Sequence, residues 1–326
     1  MDRRTPDRVG ERQGEGRPRR GGQLRVTALA PTSPGRNASR RRNLTRWAGT
    51  LFTGPAWVLL LAVVLAPLVT AVYASTTDES LTSIERTGVG GQNYATQVFD
   101  GAFASSLFVT VAIIVLSLAV QVPVGYALAL ALARPFRGRV VFRAAVTMPM
   151  MLTPVAVGLM WRFLADPDLG VVRWIASTVH ESAHPNLLGH PVSALLLVVV
   201  VNSWINVPFV TLLLLAGLIG IPDELYEAAA LDGANRFQVG RYVTLPMLAP
   251  VLGVACLLRV AADYRMFDLV YTVTRGGPGD ATRNLSMLAY QQGLVNFQIG
   301  RACAIAVAMA VIALPAYLLF SRVTRS

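Results

Sequence analysis

VSALLLVVVVNSWINVPFVTLLLLAGLIG, residues 192–220, carries no charged side chain. Crossing the hydrocarbon core of a bilayer takes about 20 predominantly apolar residues in a helix, and this run is longer. Its middle is interrupted by Asn202, Ser203 and Asn206, with Trp204 beside them. Five more apolar blocks flank it, near 51–74, 105–133, 143–165, 248–273 and 302–321. Of the 326 residues 54% are hydrophobic and 14% charged, against about 25% charged in soluble domains. Such a chain has too little polar surface to face water. The reading is an all-α membrane protein with six transmembrane helices. Cys256 and Cys303 fall inside the last two blocks and read as small packing residues rather than a disulfide framework.

Residues 1–50 differ sharply. They hold 13 of the 29 arginines of a chain without lysine, and are rich in Gly and Pro. This composition reads as a disordered basic tail. Because a span follows at once, the tail reads as an anchor for anionic membrane lipid and not for nucleic acid. It is too long and polar for the start of a signal peptide. The chain thus divides into a tail, 1–50, and a transmembrane domain, 51–326.

Cytoplasmic segments collect Lys and Arg. With both termini inside, the inner segments hold the tail, Arg134, Arg137, Arg139, Arg143, Arg236, Arg241, Arg322 and Arg325. The outer loops hold only Arg86, Arg173, Arg275, Arg283 and Arg301. This orientation puts 221–247 in the cytoplasm and 166–191 outside.

The outer stretch HESAHPNLLGH, 180–190, contains all three histidines. His180, Glu181 and His184 spell the zinc-protease pattern H-E-x-x-H, which needs both histidines on one helix face and a third ligand. Pro185 disfavours helix at His184, Leu187 stands where a related pattern wants glycine, and the loop is too short for a protease domain. No metal is expected. The preceding GVVRWIASTVHES reads as an amphipathic segment at the membrane surface.

The inner stretch IPDELYEAAALDGANRFQVGRYVTLPMLAP, 221–250, is distinctive. Pro222, Asp223 and Glu224 mark a helix start, Gly233 permits a turn, and a second helical stretch runs to Pro246, read as its stop. The result is a helix-turn-helix elbow. Glu227-Ala228-Ala229, Gly233 and Val243-Thr244-Leu245-Pro246 resemble, spacing for spacing, the signature loop of ABC importer permeases, with valine where isoleucine is common. MPMMLTPVAVGLMWRFLADPDLGVVRWI and DYRMFDLVYTVTRGGPGDATRNLSMLAYQQGL are similar to the carbohydrate branch of that family. The resemblance implies that Glu227, Ala228, Ala229, Asp232, Gly233 and Pro246 form the contact with separate ATPase subunits. It also implies a second, different permease chain, an extracytoplasmic solute-binding protein and a sugar substrate, or in an alternative reading a non-sugar solute. No cofactor is implied. A phosphate-binding loop needs a lysine that this chain lacks, so ATP hydrolysis belongs to another subunit and this chain is not an enzyme.

Ionisable residues at membrane depth are costly and mark functional sites. Arg259 and Asp263, four apart, share a helix face, with Arg265 and Asp268 nearby; Gln121 and Pro123 mark the second block. Asn202, Asn206, Asp263, Phe267 and Asp268 are therefore candidates for a substrate cavity. Helix–helix glue is the competing account of the same groups. An ion-coupled secondary transporter is a rival for the whole chain, but the repeated halves of that class are not evident.

Overall fold

The computed structural model describes residues 37–83, 86–179 and 186–323. Among them the secondary structure is helical, apart from the isolated bridges Thr77–Gly88 and Ser80–Gln298. The chain divides into two compact units, 1–62 and 63–326. The first, where described, is the N-terminal part of α1 (Asn37–Ser75). Helical backbone thus begins upstream of residue 51, inside the stretch read as tail; residues 1–36 lie outside the described residues.

In the second unit α1 leaves Val63 and Val69 more than 60% exposed. Such a surface is untenable in water and ordinary in hydrocarbon. The end of α1 is pinned by α2 (Gln92–Gln97), whose buried Asn93 donates to the carbonyls of Ser75 and Thr77 at 2.9 and 2.8 Å. Asp100 caps α3 (Gly101–Ala133), accepting from the Gly101 N–H. After α3, Gly138 at φ +84° turns the chain into the short α4 (Arg139–Thr147).

The third apolar block does not form the straight span expected. α4 passes through a 3-10 turn, Met148–Met151, into α5 (Pro154–Leu164), and the two arms meet at 95°. The cause is local: Pro154 bars helical geometry from the residue before it, and Thr153 is extended at φ −70°, ψ 137°. A turn then leads to α6 (Val171–Val179). In that turn Asp166 Oδ1 accepts the N–H of Leu169 and of Asp168, each at 2.9 Å, and these bonds hold its carboxyl below the ordinary range. In α6, Trp174 and Ile175 are exposed. His180, Glu181 and His184 lie outside the described residues, while extended His190 precedes α7 (Pro191–Ile219).

α7 packs along α3, where a Cβ on Gly125 would stand 2.8 Å from Val210 Cγ1. Ala129, Leu132, Leu214, Leu215 and Leu248 fill the seam. α8 (Asp223–Leu231) and α9 (Arg236–Val239) follow. Pro246 does not end the second arm, as the sequence reading had it. A π turn, Gly240–Thr244, leads without a break into α10 (Leu245–Tyr264), where Pro246 stands in the first turn; there a proline's missing N–H costs little. The fifth block, read as 248–273, is broken at 265–267 before α11 (Asp268–Val273). The chain closes with α12 (Leu285–Tyr290), a second π turn, Gln291–Val295, and α13 (Ile299–Val323).

The six apolar blocks thus map onto four continuous helices long enough to cross, Thr53–Ser75, Gly101–Ala133, Pro191–Ile219 and Arg236–Tyr264, one broken pair, and the shorter apolar stretch Ile299–Pro315. The chain is a multi-pass membrane protein.

α5 and α11 cross closely at Gly158. A Cβ on Gly158 would lie 1.8 Å from Thr272 Oγ1 and 2.8 Å from its Cβ. Gly158→Ala is expected to cost about 1–3 kcal/mol by overpacking, read as a lower unfolding temperature in detergent. Adding Thr272→Ala is expected to recover only part of the loss, because it removes the hydroxyl, which bonds only its own helix's carbonyls, and leaves the 2.8 Å contact with its Cβ.

Candidate functional site

Two places collect the chemistry. The first is a polar network at membrane depth, built by α3, α7 and α10. Ser117 and Gln121 sit four apart on α3, Asn202 and Asn206 on α7, and Arg259 and Asp263 on α10, so each helix presents one face. The Arg259 guanidinium is shared three ways. Its Nε donates to Gln121 Oε1 at 3.1 Å, Nη1 to Asn206 Oδ1 at 2.8 Å, and Nη2 to Asp263 Oδ1. Asn202 Nδ2 bridges Ser117 Oγ at 3.0 Å and Asp263 Oδ1 at 3.1 Å, and Asn206 Nδ2 donates back to Asn202 Oδ1 at 2.9 Å.

Arg259 and Asp263 are 7% and 2% exposed. At that burial neither charge is tolerable alone, and the paired network cancels both. The network is not closed, however. Asp263 Oδ2 and Gln121 Nε2 are buried without a partner among the described residues, one an acceptor and the other a donor.

Asp263 lines a cavity of about 540 Å³ together with Asn202, Asn206, Arg259, Phe267 and Asp268. The five candidate cavity residues therefore lie on one volume. Arg265 joins them there, exposed and without an ion-pair partner among the described residues. Phe267 also belongs to an aromatic trio: its ring is 5.3 Å from that of Tyr271 and 4.8 Å from that of Tyr290. Ser117 carries no signal in the sequence, because a serine in an apolar run usually bonds its own helix. Its spacing of four from Gln121 is the only clue.

The second place is the elbow. The end of α8 is a Schellman close: Gly233 N–H donates to Ala230 O at 3.1 Å and Ala234 N–H to Ala229 O at 3.0 Å. Gly233 stands at φ +73° with open space around it, so backbone conformation and not crowding requires glycine. α9 starts at once with a capping box. Asn235 Oδ1 accepts the Gln238 N–H at 2.9 Å, and Gln238 Oε1 accepts the Asn235 N–H at 2.8 Å. Both halves are fixed by backbone bonds, so the elbow is rigid.

Its faces differ. Tyr226 turns inward onto the Leu132–Leu218 cluster. Glu227, Ala228, Asp232, Gly233 and Pro246 are exposed and Ala229 is half-buried. Leu231, Phe237 and Tyr242 are 90%, 76% and 70% exposed. The six elbow candidates thus flank a rigid corner ringed by uncovered apolar side chains.

Residues 121–326 match the model of the binding-protein-dependent transport system inner membrane component. A probable ABC transporter permease of Sinorhizobium fredii is 35% identical over 281 residues, 85% of this chain and 90% of that one. The trehalose/maltose transport system permease protein of Thermococcus litoralis is 36% identical over 258 residues, 79% and 87% of the two chains. Among solved structures, a chain of a bacterial ABC transporter for the import of the acidic polysaccharide alginate superposes with a TM-score of 0.75 at 22% identity, covering 88% of this chain and 98% of its own; that likeness concerns the fold alone. On this footing the chain belongs to the binding-protein-dependent transport system inner membrane components, the permease subunits of ABC importers.

Proposed function

We propose that this permease takes up a sugar or sugar derivative through the α3–α7–α10 cavity, by alternating access. The observation that carries the reading is that Asp263, whose buried Oδ2 has no partner among the described residues, lines a cavity with amide, guanidinium and aromatic residues. A free carboxylate oxygen accepts from hydroxyls. An aromatic ring beside it suits the apolar face of a pyranose. The trehalose/maltose relative agrees in substrate class.

In this reading six spans cross the membrane with both termini in the cytoplasm, α4–α5 and α13 completing the count. The elbow then faces the cytoplasm and seats on an ATPase subunit. Glu227 and Asp232 meet basic groups, Ala228 and Ala229 allow close approach, Gly233 sets the bend, and Pro246 opens the span behind it. The apolar ring of Leu231, Phe237 and Tyr242 supplies area to bury. A second permease chain completes the pathway, and an extracytoplasmic binding protein delivers the solute.

The direct test is uptake of labelled trehalose, maltose and non-sugar solutes into vesicles carrying the assembled transporter and its binding protein. Uptake is expected to need ATP inside. Uptake driven by a proton gradient without ATP would instead assign a secondary transporter.

Gly233→Asp is expected to leave the protein in the membrane while losing the ATPase subunit on affinity purification and losing uptake. A left-handed site costs a non-glycine residue about 1–2 kcal/mol, enough to open the corner without unfolding the bundle.

Asp263→Leu is expected to cost about 3–5 kcal/mol by stranding Arg259. Arg259→Met with Asp263→Leu removes both charges and recovers thermal stability. Uptake is expected to stay lost in the stable double variant. Recovered uptake would mean that the pair serves packing alone.

A further inference from the structure

Behind the elbow lies a larger cavity, about 660 Å³, walled by the end of α3, the end of α7 and the inner face of α8–α9. Arg134 from beyond α3 and Arg236 from α9 both line it. Both are exposed, and neither has a salt-bridge or side-chain hydrogen-bond partner among the described residues. Two tyrosines line the same space, Tyr126 from α3 and Tyr226 from α8. One carboxylate, Asp223, is also on the wall. Leu130, Leu218 and Ile219 make the remaining side apolar, and Leu130 and Ile219 are exposed, Ile219 at 68%.

We propose that this cavity binds a phosphate-bearing anion between the elbow and the spans, with Arg134 and Arg236 holding the phosphate and the two tyrosines donating to it. Two guanidiniums without counter-ions offer forked donors that fit phosphate oxygens. The single carboxylate leaves an excess of positive charge. The pairing of a cationic wall with an apolar one whose Leu130 and Ile219 are exposed, at the ends of two spans, matches an amphiphile, so the ligand is an anionic phospholipid headgroup with its acyl chains along Leu130 and Ile219. A free phosphate shares the headgroup chemistry but leaves the apolar wall uncovered. Because the ligand touches Tyr126 on a span and Tyr226 on α8, its binding ties the elbow to the bundle and tunes how motion passes between them.

The test is lipid retention by the assembled transporter, purified in detergent, delipidated and incubated with phosphatidylglycerol or phosphatidylcholine before native mass spectrometry. This readout involves no transport and stands whether or not sugar is the substrate. Phosphatidylglycerol is expected to be retained and phosphatidylcholine washed away. Arg134→Gln with Arg236→Gln is expected to weaken retention roughly thirtyfold, about fivefold per arginine. Tyr226→Phe keeps the ring and weakens it less, and Arg137→Gln, outside the cavity, leaves it unchanged. Displacement by inorganic phosphate would assign a soluble anion as the source; retention in its presence assigns the lipid. Either sustains the site. Equal retention by the parent and the double-arginine variant, or by both lipids, overturns it.

Discussion

A guanidinium and a carboxylate placed at membrane depth must find each other or be driven out, since hydrocarbon offers neither any solvation. Arg259 and Asp263 find each other one turn apart on α10, and the rest of the bundle is arranged around that pair. Arg259 has donors left over after meeting Asp263, and they recruit Gln121 from α3 and Asn206 from α7. Three helices separated widely in sequence are thereby fixed in rotation about their own axes, which apolar packing alone does weakly. Hydrophobic contact between helices supplies little specificity when lipid tails are as apolar as leucine. The polar network specifies; the leucines and valines around it fill.

The same pair defines what is left open. Because Oδ1 of Asp263 takes both protein donors, Oδ2 is left without one among the described residues, on a residue that lines the cavity. A fully satisfied network would hold the helices equally well but would recognise nothing. The elbow shows the opposite economy. Its backbone groups are satisfied through a Schellman close and a capping box, while its outward side chains are uncovered. In the proposed reading the corner with bare apolar side chains transmits force, and the polar cavity receives the solute.

Much of this was legible in the residues. The membrane class followed from the run 192–220 and its neighbours, and the elbow from Gly233 placed after EAAALD. The candidate cavity residues were legible because polar groups in apolar runs stand out. The breaks were harder to read. Pro149 and Pro154 bracket the bend between α4 and α5, yet proline is also tolerated inside α3, α7 and α10, at Pro123, Pro208 and Pro250. What separates the cases is the backbone of the preceding residue, extended at Thr153 and helical within α3, α7 and α10, and proline alone does not announce which it will be. Pro246 misled because it stands in the first turn of α10 and not at the end of the helical stretch before it. Ser117 was invisible because its partner Asn202 is 85 residues away.

The π turn Gly240–Thr244 has a geometric outcome for the segment after it. A π turn holds one residue more than the α-helical turn it replaces, and each residue swings a helix by about 100°. The heading of the α10 side chains around their axis is therefore set relative to the corner by a single surplus residue. Without it, Arg259 and Asp263 would be turned about 100° relative to the corner, away from Gln121 and Asn206. The orientation of the corner relative to the cavity is written as a count of residues in the chain, and not only as the chemistry at either end.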